Sequence, residues 1–397
     1  MMKRNLPLLS ESLASVFLFI GCWTAHAQIF VNPTLTVLSP LDYQVVQRNA
    51  ESIGMVSLEV KTDLALSQDD AIEYRIHFSS EHVSPWEKLN GTSDEGMCRA
   101  KVPLPAGGWY RLEVRLTSDE AMVATAEVKH FGIGEVFVVA GQSNSANHGE
   151  ERQQTQTARV VNFDGTAWQL ANDPQPGASG QGGSFVPPLG DALVSQFNVP
   201  VGFVTCGIGA TSVREWLPRG TRFPNPPTIE SRVRQVKAAI DGEEMWESDG
   251  QAFEMFLKRL RPLGTNGFRA VLWHQGESDA NQRDASRTLA GDLYYDYLSQ
   301  IIYQSRKDLG WDAPWMVAQV SYHVPGDEAS EEIRAAQALL WKQGVALEGP
   351  DSDSLKGDLR EGNGQGVHFS GKGLREHANR WAAKISPWLR DALAQSK

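Results

Sequence analysis

Four short strings in this chain combine residue types that can break an acyl bond. Gly141-Gln142-Ser143-Asn144 directly follows the mostly apolar run Glu135–Ala140. A serine at such a strand-to-helix turn exposes its hydroxyl at the ligand edge of a sheet, and the amides around it can face a developing oxyanion. The string differs from the G-x-S-x-G elbow, because Ser145 stands at the last glycine position. Cys206–Ser212 (CGIGATS) follows a second apolar run, and its glycines let a backbone N–H approach a substrate oxygen closely. His274–Asp279 (HQGESD) sets the Gln275 amide and the Glu277 carboxylate two residues apart, an oxyanion donor and an orienting acid. Gly364–Ser370 (GQGVHFS) places His368 among glycines, where an imidazole can take the serine proton and return it to a leaving group. Each string alone also fits an ordinary turn. Together, in chain order, they supply nucleophile, oxyanion donors, acid and base.

The elements that must position them fall into two kinds. From Val31 to Phe131 short runs such as Met55–Val60, Glu73–Phe78 and Trp109–Arg115 alternate with period two, which predicts a small all-β sandwich of immunoglobulin-like outline. After Gly132 apolar runs (Val136–Ala140, Val201–Thr205, Ala270–Trp273, Trp315–Val320) alternate with amphipathic stretches near Leu189–Phe197, Phe253–Leu260, Ser286–Leu309, Glu331–Gln343 and Gly373–Leu393. That alternation predicts an α/β fold, a doubly wound parallel sheet between two helical layers. Ligand sites in such sheets lie beyond the carboxyl ends of the strands, the edge at which all four strings are expected. The Gly-rich stretch Pro176–Ser184 is expected to form a loop on that side. The division is therefore a leader over 1–27, a β-sandwich over 28–131 and an α/β domain over 132–397.

Composition narrows the function class. With 41% hydrophobic and 21% charged residues in a 397-residue chain, long disorder is not expected. The net charge of −11 argues against nucleic acid or an anionic membrane as a partner. Lys3 and Arg4, the apolar run Leu13–Gly21 and Ala25-His26-Ala27 read as a signal peptide cleaved near Ala27, which predicts a secreted or periplasmic protein. Phe19-Ile20-Gly21-Cys22 is a weaker match to a lipid-attachment string, which would instead anchor Cys22. No later stretch predicts a membrane span. Cys98 and Cys206 are expected to be unpaired and buried, and most of the 12 Trp to be core. No metal or cofactor is expected: His323, His368 and His377 lack ligand spacing, and HExxH is absent.

The blocks GQSN (Gly141–Asn144), GATS (Gly209–Ser212), HQGESD (His274–Asp279) and GVHFS (Gly366–Ser370) resemble the SGNH hydrolase superfamily over roughly Gly132–Leu393. Within it they are similar to the sialate O-acetylesterase-like and acetyl xylan esterase branch. The resemblance implies a three-layer, flavodoxin-like sheet and a serine esterase that removes acetyl groups from carbohydrates through an acetyl-Ser143 intermediate. It makes Ser143 the nucleophile and His368 the base. The oxyanion donors would be the N–H groups of Ser143 and Gly209 and the Gln275 side chain. Gln142, Asn144, Trp216 and His274, in or beside the blocks, are the candidates for holding substrate. Two positions depart from the pattern. Ala210 stands where a second glycine is usual, and Gln365 stands where many relatives carry an Asp three residues before the histidine. An amide cannot stabilise an imidazolium as a carboxylate does. Glu277 is therefore the expected acid, with Asp353, Asp358 and Glu361 in reserve. The competing expectation is a weak or inactive scaffold that acts as a secreted glycan-binding protein.

Overall fold

One strand of 21 residues, Ala121–Gly141, carries the architecture. The structure, a computed structural model, describes residues 33–394 apart from 91, 95, 238–241 and 243. The expected leader and Cys22 lie outside the described residues. The first half of the long strand pairs antiparallel with Gly107–Ser118. Its second half pairs parallel with Val201–Thr205 on one side and Ala270–His274 on the other. The register sets Thr205 opposite Val139 and His274 opposite Gly141. The three strands therefore end nearly level, and the chain segments that begin at Gln142, Cys206 and Gln275 emerge side by side.

The β-rich part obeys the two-residue period. Val56, Leu58 and Val60 of Ile53–Thr62 point inward, as do Ile72, Tyr74 and Ile76 of Asp70–His77 and Leu112, Val114 and Leu116 of Gly107–Ser118. These residues share one apolar cluster with Phe131 and Ile133 of the long strand. The boundary expected between 131 and 132 falls inside this strand, and Pro33–Lys397 forms one compact unit. Cys98 and Cys206 are both free and buried.

The large sheet runs in the order Trp168–Leu170, Val160–Phe163, Val201–Thr205, the long strand, Ala270–His274, Trp315–Gln319 and Leu347–Asp351. Along this path the pairings are parallel except for the outermost pair, Val160–Phe163 with Trp168–Leu170. Val201–Thr205 and Ala270–His274 are buried along their whole length, because helices cover both faces. Val186–Phe197 and Gly371–Ala394 pack on one face; Gln251–Leu260, Gly291–Leu309 and Glu331–Lys342 pack on the other. The sheet is mixed rather than wholly parallel, since the long strand continues into its antiparallel partners. Leu347–Asp351 (LEGPD) escapes a hydropathy reading because Gly349 and Pro350 interrupt it, a composition that an edge strand tolerates. No described helix is long and apolar enough to cross a membrane.

Where the long strand enters the parallel part, Glu135 is fully buried. Its carboxylate accepts from Arg48 Nε at 2.7 Å, Arg269 Nε at 2.7 Å and Gln47 Nε2 at 2.9 Å. One anion thus joins the end of the Gln44–Gln47 strand to the start of the Ala270–His274 strand. Removing one member of a buried ion cluster leaves the others desolvated and unpaired. Glu135→Ala should lower folding stability by about 3–5 kcal/mol in urea unfolding; a loss below about 1 kcal/mol, the scale of an exposed pair, would contradict this account.

Candidate active site

The serine turn is shaped by one close backbone approach. Gly141 has φ +125°, and a Cβ there would lie 2.0 Å from the His274 carbonyl oxygen. Glycine is the residue that fits. The next amide, Gln142 N–H, donates to the same carbonyl at 2.9 Å. Gln142 then turns its side-chain oxygen under the neighbouring loop, accepting from Ser278 N at 3.0 Å and Gln275 Nε2 at 3.2 Å. Ser143 begins a single 3-10 turn, Ser143–Ser145, pinned by Ser145 Oγ donating to Gln142 O at 2.7 Å. An amide at the head of such a turn has no acceptor within the turn. Ser143, whose N–H has no acceptor within the turn, lines a cavity of about 650 Å³ together with His368, His148, Ser179, Gly209 and Arg232.

His368 reaches this cavity on the segment after Leu347–Asp351, and Glu361 holds it there. Its Nδ1–H donates to Glu361 Oε1 at 2.7 Å, and its backbone N–H donates to the same oxygen at 3.0 Å. Glu361 N–H donates back to His368 O at 2.9 Å. Gly366 makes room, since a Cβ there would sit 2.2 Å from Glu361 Cγ. Arg360, buried beneath, ties the segment together by donating to the carbonyls of Leu355 (2.6 Å), Val367 (2.7 Å) and Ser352 (2.8 Å). Its guanidinium lies 4.0 Å from the Tyr322 ring centre and 4.4 Å from that of Phe369. Burial brings its pKa down to about 10, so it stays charged at neutral pH.

Glu277 is elsewhere. It lines the cavity, but Oε1 accepts from Asn144 Nδ2 at 3.0 Å and Oε2 has no partner among the described residues. Burial, reinforced by the charge of Asp353, pushes its pKa up to about 7. The geometry corrects the expectation of Glu277 as the carboxylate on the imidazole. Glu361, held in reserve, occupies that position. Of the other reserves, Asp353 accepts from Ser321 N, Ser321 Oγ and Tyr322 N and pairs with Arg334 at 2.9 Å. Asp358 pairs with Lys372 on the surface.

Four more expectations need correction. Gln275 is fully buried, and its Nε2 donates to Asp279 Oδ2 at 2.6 Å and to Thr211 O at 3.1 Å. It braces loops below the cavity and offers no donor to it. Trp216 is core, its Nε1 donating to Thr211 Oγ1 at 2.9 Å and its ring packed on Trp273. His274 is also fully buried, and burial takes its pKa to about 3, so it is neutral and faces Phe369 and His377 instead of a ligand. Asn144 holds Glu277 and donates to Val367 O at 3.3 Å, which places it behind the site. Gln142 and Gly209 do line the cavity. Ala210, beside Gly209, has φ +58°, a left-handed conformation that costs a non-glycine residue about 1 kcal/mol.

Several cavity residues were given no role by the sequence blocks. His148 stacks on His368 with ring centres 5.4 Å apart; burial first, then the charge of His368, lowers its pKa. Ser179 lies in the Gly-rich stretch expected on this side. His323 is fixed by Asp327 and by the Glu277 carbonyl, both at 2.5 Å. None sits in a recognisable string, and each arrives from a loop whose course only the fold determines.

A family model described as carbohydrate esterase, sialic acid-specific acetylesterase, matches residues 133–386. No curated protein matches the chain. Among solved structures, a carbohydrate acetylesterase from Xanthomonas citri is 18% identical over 88% of this chain and 73% of its own, with a TM-score of 0.49. A protein from Arabidopsis thaliana is 18% identical, covering 64% of this chain and 98% of its own at TM-score 0.41. A family two carbohydrate esterase from Clostridium thermocellum, in complex with cellohexaose, is 12% identical over 85% and 93%, at TM-score 0.34.

The raised Glu277 carboxyl has a pH signature. The folded chain keeps a proton that the unfolded chain loses between about pH 4.5, the ordinary value, and about 7. Glu277 therefore costs the folded state progressively more as pH rises through that window, and no more above it. The stability of Glu277→Gln relative to wild type should increase between pH 5 and pH 8 in urea unfolding. A difference that does not change with pH would show that the carboxyl ionises normally in the fold.

Proposed function

The chain belongs to the carbohydrate esterase family of sialic acid-specific acetylesterases and is a carboxylic ester hydrolase, and from that premise we propose that it removes O-acetyl groups from carbohydrates by a Ser143–His368–Glu361 mechanism. The observation that carries the proposal is the 2.7 Å contact between His368 Nδ1 and the Glu361 carboxylate, in a cavity that also contains Ser143. A carboxylate on Nδ1 fixes the tautomer, leaves Nε2 as the base and stabilises the imidazolium formed when the serine proton is taken. Ser143 Oγ attacks the acetyl carbonyl while His368 accepts its proton. The oxyanion is met by the Ser143 amide, beside the Gly209 and Ser179 wall of the same cavity. The sugar oxygen leaves with the proton from His368, and water hydrolyses the acetyl-Ser143 ester by the reverse transfers. Glu277, raised by burial, is a neutral or half-neutral brace for Asn144 in this scheme, not the acid.

The substrate is an acetylated sialic acid or an acetylated polysaccharide. We read residues 28–131 as a companion β-sandwich module to the esterase part at 132–397, and 1–27 as a signal for export. An inactive glycan-binding scaffold would be favoured if the Gln at position 365 left the imidazole without a carboxylate. Glu361 supplies a carboxylate from four residues earlier, which removes the reason to prefer it.

The test is hydrolysis of a nitrophenyl acetate by the wild type, Ser143→Ala, Glu361→Gln and Glu277→Gln. Removing a member of such a triad costs about 10⁴-fold in kcat. Ser143→Ala should fall by that order and Glu361→Gln by at least 100-fold, while Glu277→Gln stays within about 10-fold of wild type. A large loss in Glu277→Gln with little change in Glu361→Gln would reverse the assignment. Equal inactivity of wild type and Ser143→Ala would remove the serine-esterase mechanism.

A further inference from the structure

The donors available to an oxyanion do not add up. Of the three positions implied by the sequence blocks, the Gln275 amide is buried on Asp279 and Thr211. The Gly209 N–H is already engaged, because it donates to Ser179 Oγ at 2.8 Å. That hydroxyl stands where an oxyanion would have to lie in order to reach the Gly209 amide. The Ser143 amide alone remains from the expected set.

Ser179 is not there by accident of a loose loop. Its own N–H donates to Gly207 O at 3.1 Å, and the next amide, Gly180 N–H, donates to Ala146 O at 2.8 Å. A Cβ at Gly180 would lie 2.4 Å from the carbonyl oxygens of both Ala146 and Asn147, so only glycine lets the loop come this close to the serine turn. Asn147 closes the other side, donating from Nδ2 to Gln175 O at 2.8 Å. The Gly-rich stretch is thus fastened to both the Ser143 turn and the Cys206–Ser212 loop, and it presents one hydroxyl to the cavity. His148 Nε2 lies 3.4 Å from that hydroxyl, and the His148 ring stacks on His368.

We infer that Ser179 is a catalytic residue, the hydroxyl that relays the Gly209 amide to the acyl oxygen of the substrate. Its oxygen accepts the Gly209 N–H, which leaves its own hydrogen to be donated as negative charge builds on that acyl oxygen. A hydroxyl that accepts one hydrogen bond while donating another is a stronger donor than an isolated one. No proton leaves Ser179 at any step; the hydrogen bond shortens in the transition state and relaxes when the carbonyl re-forms. The inference rests on the serine-esterase mechanism proposed above.

The experiment compares wild type, Ser179→Ala and Ser179→Thr with a nitrophenyl acetate and with a fluorophosphonate that labels Ser143. Losing one oxyanion donor costs about 10²–10³-fold in kcat. Ser179→Ala leaves the Gly209 amide in place but too far back, so a fall in kcat of at least about 10-fold is expected, with KM within about 2-fold. Ser179→Thr, which keeps the hydroxyl, should recover most of the loss, and the thermal midpoints should agree. An unchanged kcat in Ser179→Ala would overturn the inference, and so would a raised kcat, which would mean that the hydroxyl merely masks Gly209. Loss of fluorophosphonate labelling in the wild type, with activity equal to Ser143→Ala, would instead remove the mechanism on which the inference rests.

Discussion

The site depends on one glutamate that does three things at once. Glu361 accepts from the imidazole Nδ1–H and from the backbone N–H of His368, and its own amide returns a hydrogen bond to the His368 carbonyl. Backbone and side chain of the histidine are thereby both held by a residue seven positions earlier. This arrangement is possible because the intervening segment folds back tightly. Gly362 and Asn363 adopt left-handed conformations, as does Gly364, and Gly366 presses directly on the Glu361 side chain. Arg360 anchors the whole reversal to the core with hydrogen bonds to three carbonyls.

The serine side is fixed by a different device. The close approach of Gly141 to the His274 carbonyl sets the turn, and the Gln142 side chain stitches that turn to the HQGESD loop. Asp279 continues the stitch, accepting from Ser212 Oγ at 2.5 Å and Val213 N at 2.8 Å, so the loops after three adjacent strands form one hydrogen-bonded layer. A buried polar layer of this kind holds geometry well when its members are satisfied. It also explains why Gln275 and Asp279 belong to strings that look catalytic: they support the site from below. Burial weakens the charge of two further cavity groups, raising the Glu277 carboxyl and lowering the His148 imidazole.

Much of this was legible in the sequence. Fully apolar runs marked the central strands, amphipathic periods marked the five long helices, and the strand-end positions of GQSN, CGIGATS and HQGESD followed from them. What could not be read is which polar residue points up into the cavity and which points down into the layer. Gln275 and Glu277 are two apart, yet one is structural and the other only edges the cavity. Glu361 stood only in reserve, since a carboxylate seven residues before a histidine meets it only if the chain reverses, and the reversal is made by backbone conformations that EGNGQG permits but does not announce. Ser179 and His148 come from loops whose placement is tertiary. The boundary expected between 131 and 132 lies inside one β-strand that serves both halves of the chain.

The measurement closest to the central claim is the proton spectrum of the His368 Nδ1–H in nitrogen-15-labelled protein, assigned by its loss in His368→Ala. A hydrogen bond from an imidazole to a carboxylate shifts that proton far downfield and shields it from exchange. The account predicts a downfield signal in wild type and in Glu277→Gln that is lost in Glu361→Gln. A signal that survives in Glu361→Gln and vanishes in Glu277→Gln would contradict it, and would return the acid to the HQGESD loop.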